Sequence, residues 1–174
     1  MTTTVTVETP APGIYRMDPR RSKIRYTSKH MFGTGTVHAT FDVEDGEIDV
    51  RDPMTGSGVT VTVDATSFAS DSAKRDKDVR SARLLDVASY PDIAFTSKSV
   101  REDGKAWIVA GTVTAHGNSV PVDVLLDRLT VAGEDITVHG RAVRLDRYEF
   151  GVTGGRGFVG RYLDLEVDVT ASRT

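Results

Sequence analysis

Four histidines, at positions 30, 38, 116 and 139, are the side chains best suited to hold a metal or move a proton. A metal site needs three or four ligands that converge with fixed tautomers. No H-x-x-x-H or HExxH spacing occurs, and no carboxylate partner stands at a matching interval, so no metal is assigned. His38 and His139 fall on the polar parity of their segments and are expected to face solvent. His30 and His116 sit at segment ends, where a side chain can reach the mouth of a fold. No G-x-S-x-G elbow marks a nucleophilic serine. The chain has no cysteine, which removes disulfides, thiolate metal sites and cysteine nucleophiles together. Gly154-Gly155-Arg156-Gly157 lacks the Lys-Ser/Thr of a phosphate loop and opens no helix, so it is read as a turn, as is Gly33-Thr34-Gly35. No catalytic residue and no cofactor is assigned. The polar candidates that remain are His30, His116, Arg147 and Tyr148. They would contact the polar end of a ligand or, if two or more converged in a cavity, serve an enzyme acting on a lipid-like substrate.

The elements that must position these residues are strands. Apolar and polar residues alternate with period two over most of the chain. Val37, Ala39, Phe41 and Val43 alternate with Thr36, His38, Thr40 and Asp42; Leu163, Leu165, Val167 and Val169 alternate with Tyr162, Asp164, Glu166 and Asp168. Ten such segments are expected, at 13–18, 22–29, 35–45, 46–51, 58–66, 92–101, 105–115, 119–131, 135–147 and 160–171. Asp45-Gly46, Asp103-Gly104, Gly117-Asn118 and Gly133-Glu134 carry turn chemistry between them. One wet and one buried face per strand, with this many strands, predicts an all-β antiparallel barrel of about eight strands, because closure removes exposed edges. The apolar parity switches from Ile136, Val138 and Ala142 to Val143 and Leu145, which predicts a bulge. Residues 70–88 break the alternation and predict one short charged helix, capped by Asp71 or Ser72, with an Asp76–Arg80 pair at i,i+4 spacing. Residues 1–12 read as a flexible tail ahead of one domain over 13–174.

At 174 residues with 27% charged residues and a net charge of −3, the chain suits one folded domain and lacks the basic footprint of a nucleic-acid binder. No segment approaches the roughly 18 apolar residues of a membrane span, so no stable membrane insertion is expected. Met1–Thr9 has neither a basic nor an apolar leader region, from which a cytoplasmic location is expected. A homodimer is compatible with all of this.

Ile24, Tyr26, Phe41, Val61, Phe95, Trp107, Val124, Leu126, Leu163 and Leu165 share the apolar, inward parity. A barrel of this size either fills its interior with side chains or holds one small ligand. Parity alone leaves both outcomes open, and a filled core would suit an interaction module that works through its charged helix instead. Any ligand held among these residues is apolar.

Several segments resemble the YceI-like family. Tyr15, Asp18, Ser22, Ile24, Tyr26 and Lys29-His30 are similar to its opening, and Gly35 to Phe41 with Gly46 and Ile48 to its next strands. Arg75-Asp76-Lys77, Arg80-Ser81, Asp86-Val87, Tyr90-Pro91, Ile93, Phe95 and Ser97 resemble its charged helix and following strand. Gly111, Thr114, His116-Gly117, Pro121 and Val122, then Arg147, Phe150 and Gly151, then Val159-Gly160, complete the match. Leu84-Leu85 replaces the family's usual Phe pair, and Arg161 stands where an Asp is common. The resemblance implies an extended lipocalin-like barrel and a long-chain lipid or isoprenoid partner that is bound, stored or transported without covalent chemistry.

Overall fold

A computed structural model describes residues 4–30, 35–156 and 159–174, with only the backbone of His30. The expected turn at Gly33-Thr34, the residue Gly157 and the side chain of His30 lie outside the described residues. The strands are β1 (Thr6–Val7), β2 (Gly13–Met17), β3 (Lys23–His30), β4 (Gly35–Val50), β5 (Gly58–Ala69), β6 (Asp92–Asp103), β7 (Ala106–Ala115), β8 (Asn118–Ala132), β9 (Asp135–Asp146) and β10 (Val159–Arg173). One helix, α1 (Ala73–Arg80), stands between β5 and β6.

From β3 to β10 each strand pairs antiparallel with its chain neighbour, and β10 pairs with β3. The ring closes as an eight-stranded barrel, so none of these strands presents a free edge along its paired length. Two strands are additional. β2 also pairs with β4 and β10, so it lies end to end with β3 in one strand position. The jog between them is a 3-10 turn at Pro19–Arg21, where the Asp18 carboxylate accepts from the Arg20 amide. β1 runs parallel to β8, with Thr6 opposite Arg128 and Val7 opposite Leu129. Thr6 and Val7 are therefore part of the sheet, although residues 1–12 read as a tail.

Asp45-Gly46, expected to be a turn, lies inside the 16-residue β4. A register shift between Val43 and Asp45 bends the strand there. Met17 packs over Gly46, where a Cβ would meet its sulfur at 2.3 Å. Glycine serves close packing at this position, and the sequence signal for a hairpin is the same.

The bulge expected in β9 is present. Leu165 pairs with Ala142 and Leu163 with Leu145, which leaves one extra residue on β9. Arg144 takes φ 55° and Val143 is turned out, 62% exposed. A second bulge lies in β8, where the apolar parity also switches, from Val120, Val122, Val124 and Leu126 to Leu129 and Val131. Leu126 pairs with Gly140 and Arg128 with His139, which leaves Asp127 as the extra residue.

Ser72 caps α1 by accepting from the Arg75 amide. The expected Asp76–Arg80 pair does not form. Asp76 is 7% exposed and accepts from the Ser70 amide and hydroxyl at 2.9 and 2.6 Å, while Arg80 donates to the Phe68 carbonyl. With only eight residues, α1 presents Asp76 to the end of β5 and not to solvent, so the nearest partner is the strand it caps.

Candidate functional site

The barrel interior is built from the inward parity of every strand in the ring. Tyr26 on β3, Phe41 on β4 and Phe68 on β5 meet edge to face, with ring centroids 5.3–6.5 Å apart. Around them the interior leaves two apolar chambers, of about 110 Å³ and about 180 Å³. Phe41, Ile93, Val113 and Leu165 line both, so the chambers abut at a waist formed by those four side chains.

The second chamber is lined by apolar residues alone, among them Ile24, Val61, Phe95, Val124 and Leu126. The Phe95 ring lies over Gly111 on β7: a Cβ there would lie 2.6 Å from the Phe95 ring and 2.5 Å from the Thr96 carbonyl oxygen. The first chamber lies under α1 and the turn that follows it. Val79, Leu84 and Leu85 wall one side, and Leu145, Leu163, Phe150 and Val152 the other. Arg147 is its one charged lining residue.

Nine of the ten inward residues named from parity line a chamber. Trp107 does not. It is half-buried, two residues beyond Val109, the β7 residue nearest it that reaches the lining. Correct parity put Trp107 on the inward side but past the end of the cavity. Phe68, Val79, Leu84, Leu85, Phe150 and Val152 were not read as lining. Their segments are a strand end past a register shift, a helix with its following turn, and a 3-10 turn, none of which keeps period two.

Of the polar candidates, Arg147 alone reaches a chamber among the described residues. It is 4% exposed. Nε donates to the Gly160 carbonyl at 2.9 Å, Nη1 to Val152 at 2.7 Å and Nη2 to Val159 at 3.1 Å. Burial pulls its pKa below the ordinary guanidinium value. Burial likewise pushes the Tyr26 hydroxyl up, while a hydrogen bond with Ser28 and the charge on Arg147 pull it down. Tyr148 lies outside the chambers, with Arg147, Arg156 and Arg161 at 5.0, 5.0 and 4.6 Å from its ring centroid. His116 takes φ 53° in the β7–β8 turn and packs on Tyr90 at 4.8 Å, also outside.

His139 departs from its expectation. It is on the outer face of the barrel, but its side chain is only 16% exposed because Asp127 and Glu166 flank the ring. The β8 bulge re-aims Asp127, which is why no sequence interval announced the partner. Glu166 and Asp168 bring three metal-type donor atoms within 4.8 Å of one another, yet both ring nitrogens already face carboxylates and Asp168 pairs with Arg25.

The fold and its interior can be compared with known proteins. The YceI-like domain matches residues 15–171. The chain belongs to the YceI-like family. Protein YceI of Escherichia coli O157:H7 is 34% identical over 125 residues, 70% of this chain and 64% of that protein. This member of the family thus aligns with less than two thirds of its curated relative. Among solved structures, BcnA of Burkholderia cenocepacia superposes with a TM-score of 0.80 at 20% identity, over 90% of this chain and 99% of that one. A polyisoprenoid binding domain from Saccharophagus degradans superposes with a TM-score of 0.66 at 12% identity, over 94% and 100%. These two share the YceI-like barrel fold.

Proposed function

We propose that this YceI-like barrel binds one long-chain apolar ligand, isoprenoid or fatty-acid-like, without covalent chemistry. The two abutting chambers carry this reading. An apolar cavity of about 150 Å³ stays dry and accepts a benzene-sized guest. The second chamber alone exceeds that at about 180 Å³, and the first extends it past the waist. A chain threaded through both would meet apolar side chains along most of its length and, among the described residues, polar groups at Arg147 and the Tyr26 hydroxyl. Each buried carbon contributes about 0.8 kcal/mol. The name of the Saccharophagus degradans domain gives the same ligand class for a protein of the same fold. An enzyme acting through the polar candidates His116 and Tyr148 would need them in the cavity, and both lie outside it.

The test is to extract purified protein with organic solvent and identify bound species by mass spectrometry, then to load the stripped protein with palmitic acid and a polyprenol. A long-chain species at near one per barrel is expected. Neither a co-purified nor a loadable chain would end the proposal.

A further inference from the structure

Arg147 is a buried cation. Among the described residues no carboxylate pairs with it: Asp146, its sequence neighbour, is held by Arg161 through contacts of 3.0 and 2.9 Å. A guanidinium carries five N–H donors. Backbone carbonyls take three of them, which among the described residues leaves one each on Nη1 and Nη2. A second guanidinium lies nearby. Arg156 approaches the same Tyr148 ring as Arg147 and forms no ion pair among the described residues, in a chain of net charge −3. Burying an isolated charge against an apolar chamber is costly, and removing one member of a buried pair leaves that cost exposed.

We propose that the ligand carries an anionic, oxygen-rich head group, a carboxylate being the smallest, which seats against Arg147 while its chain runs past the waist into the second chamber. This rests on the lipid-binding reading and deepens it from an apolar ligand to an acidic lipid. The guanidinium supplies two donors to two acceptor oxygens, the geometry at which arginine binds carboxylates best. Arg156 adds long-range attraction at the same end of the barrel.

The full chain, stripped of lipid, is titrated with palmitic acid and with hexadecanol, and complexes are counted by native mass spectrometry. At neutral pH the acid should bind about tenfold to a hundredfold more tightly, as a charge-assisted bond exceeds a neutral one. Arg147→Met should cost the acid far more than the alcohol and bring the two to similar affinity. The unaltered protein gives a second readout if that variant misfolds: the acid's advantage should vanish as pH falls and its carboxylate takes up a proton, while the alcohol's affinity stays flat. Equal binding of acid and alcohol, an advantage that survives Arg147→Met, or one indifferent to protonation would overturn the acidic-lipid inference and leave lipid binding standing. Binding of neither probe would instead overturn the lipid reading, and this inference with it.

Discussion

His139 Nδ1 lies 2.5 Å from Asp127 Oδ1, and on the far side of the ring Nε2 lies 2.5 Å from Glu166 Oε1. Two carboxylates, one on each nitrogen, require both ring nitrogens to donate, so this geometry belongs to the imidazolium. Burial opposes the charge, but the hydrogen bonds to Asp127 and Glu166 outweigh it and hold the His139 pKa above the ordinary histidine value. The three residues tie β8, β9 and β10 together on the outer face.

A raised pKa in the folded state means stability that is fully present below the unfolded value, about 6.5, and is lost as pH rises through the folded value. Urea unfolding should therefore show the protein losing stability as pH rises from the ordinary histidine value, about 6.5, through the raised folded value. His139→Gln should be less stable than the parent by about 1–2 kcal/mol at the lower pH, chiefly because Asp127, 4% exposed, loses its charged partner. The half-exposed Glu166 contributes little to that figure. A parent and variant that track each other across the whole range would refute the imidazolium assignment.

Leu165 lies at the waist, paired with Tyr26 on one side and Ala142 on the other, and lines both chambers. Leu165→Trp should obstruct passage between them. A ligand short enough for one chamber would lose little, whereas a chain that crosses the waist would forfeit about two buried methylenes or more, roughly tenfold in affinity. Loading with decanoic and palmitic acids, compared by native mass spectrometry, measures the difference. Equal losses for the two would mean that the chambers are not used as one continuous site.

The ring of strands was legible in the sequence because period two survives wherever one face is buried and the other wet, as along Leu163 to Val169. Nine of the ten inward residues named from the same parity line a chamber. What stayed hidden depends on where the alternation is interrupted. The β8 bulge turns Asp127 toward His139, and no sequence interval encodes that meeting. Gly46 carries the same local signal in a packed strand as in a hairpin, and only Met17, from a different strand, distinguishes the two. The first chamber draws Val79, Leu84, Leu85, Arg147 and Phe150 from α1, its following turn and the 3-10 turn at Arg147–Phe150, where no strand parity applies.

Gly111 lies under the Phe95 ring. Gly111→Ala places a Cβ within 2.6 Å of that ring and 2.5 Å of the Thr96 carbonyl oxygen. Overpacking of this kind costs about 1–3 kcal/mol. Adding Phe95→Leu should recover part of the loss, because the shorter side chain clears the ring contact but leaves the carbonyl contact. Denaturant midpoints of the two variants decide it: no recovery would mean that the backbone contact alone dominates.

Asp76 provides the sharpest separation between spacing and structure. Its i,i+4 interval to Arg80 predicts an ion pair on a wet helix face, whereas its carboxylate in fact holds the Ser70 amide and hydroxyl. Asp76→Ala should cost about 1–3 kcal/mol, because it strands buried donors at the end of β5. Asp76→Asn should cost less, since its amide oxygen can still accept. Asp78→Ala, one turn position away and exposed, should stay within about 0.5 kcal/mol of the parent. Double-mutant cycles then assign the partner. Asp76→Ala with Ser70→Ala should show coupling of about 1 kcal/mol, and Asp76→Ala with Arg80→Ala should show almost none, because Arg80 is committed to the Phe68 carbonyl. Strong coupling to Arg80 would restore the ion pair that the spacing suggests and displace the Ser70 contact as what fixes α1 over the first chamber.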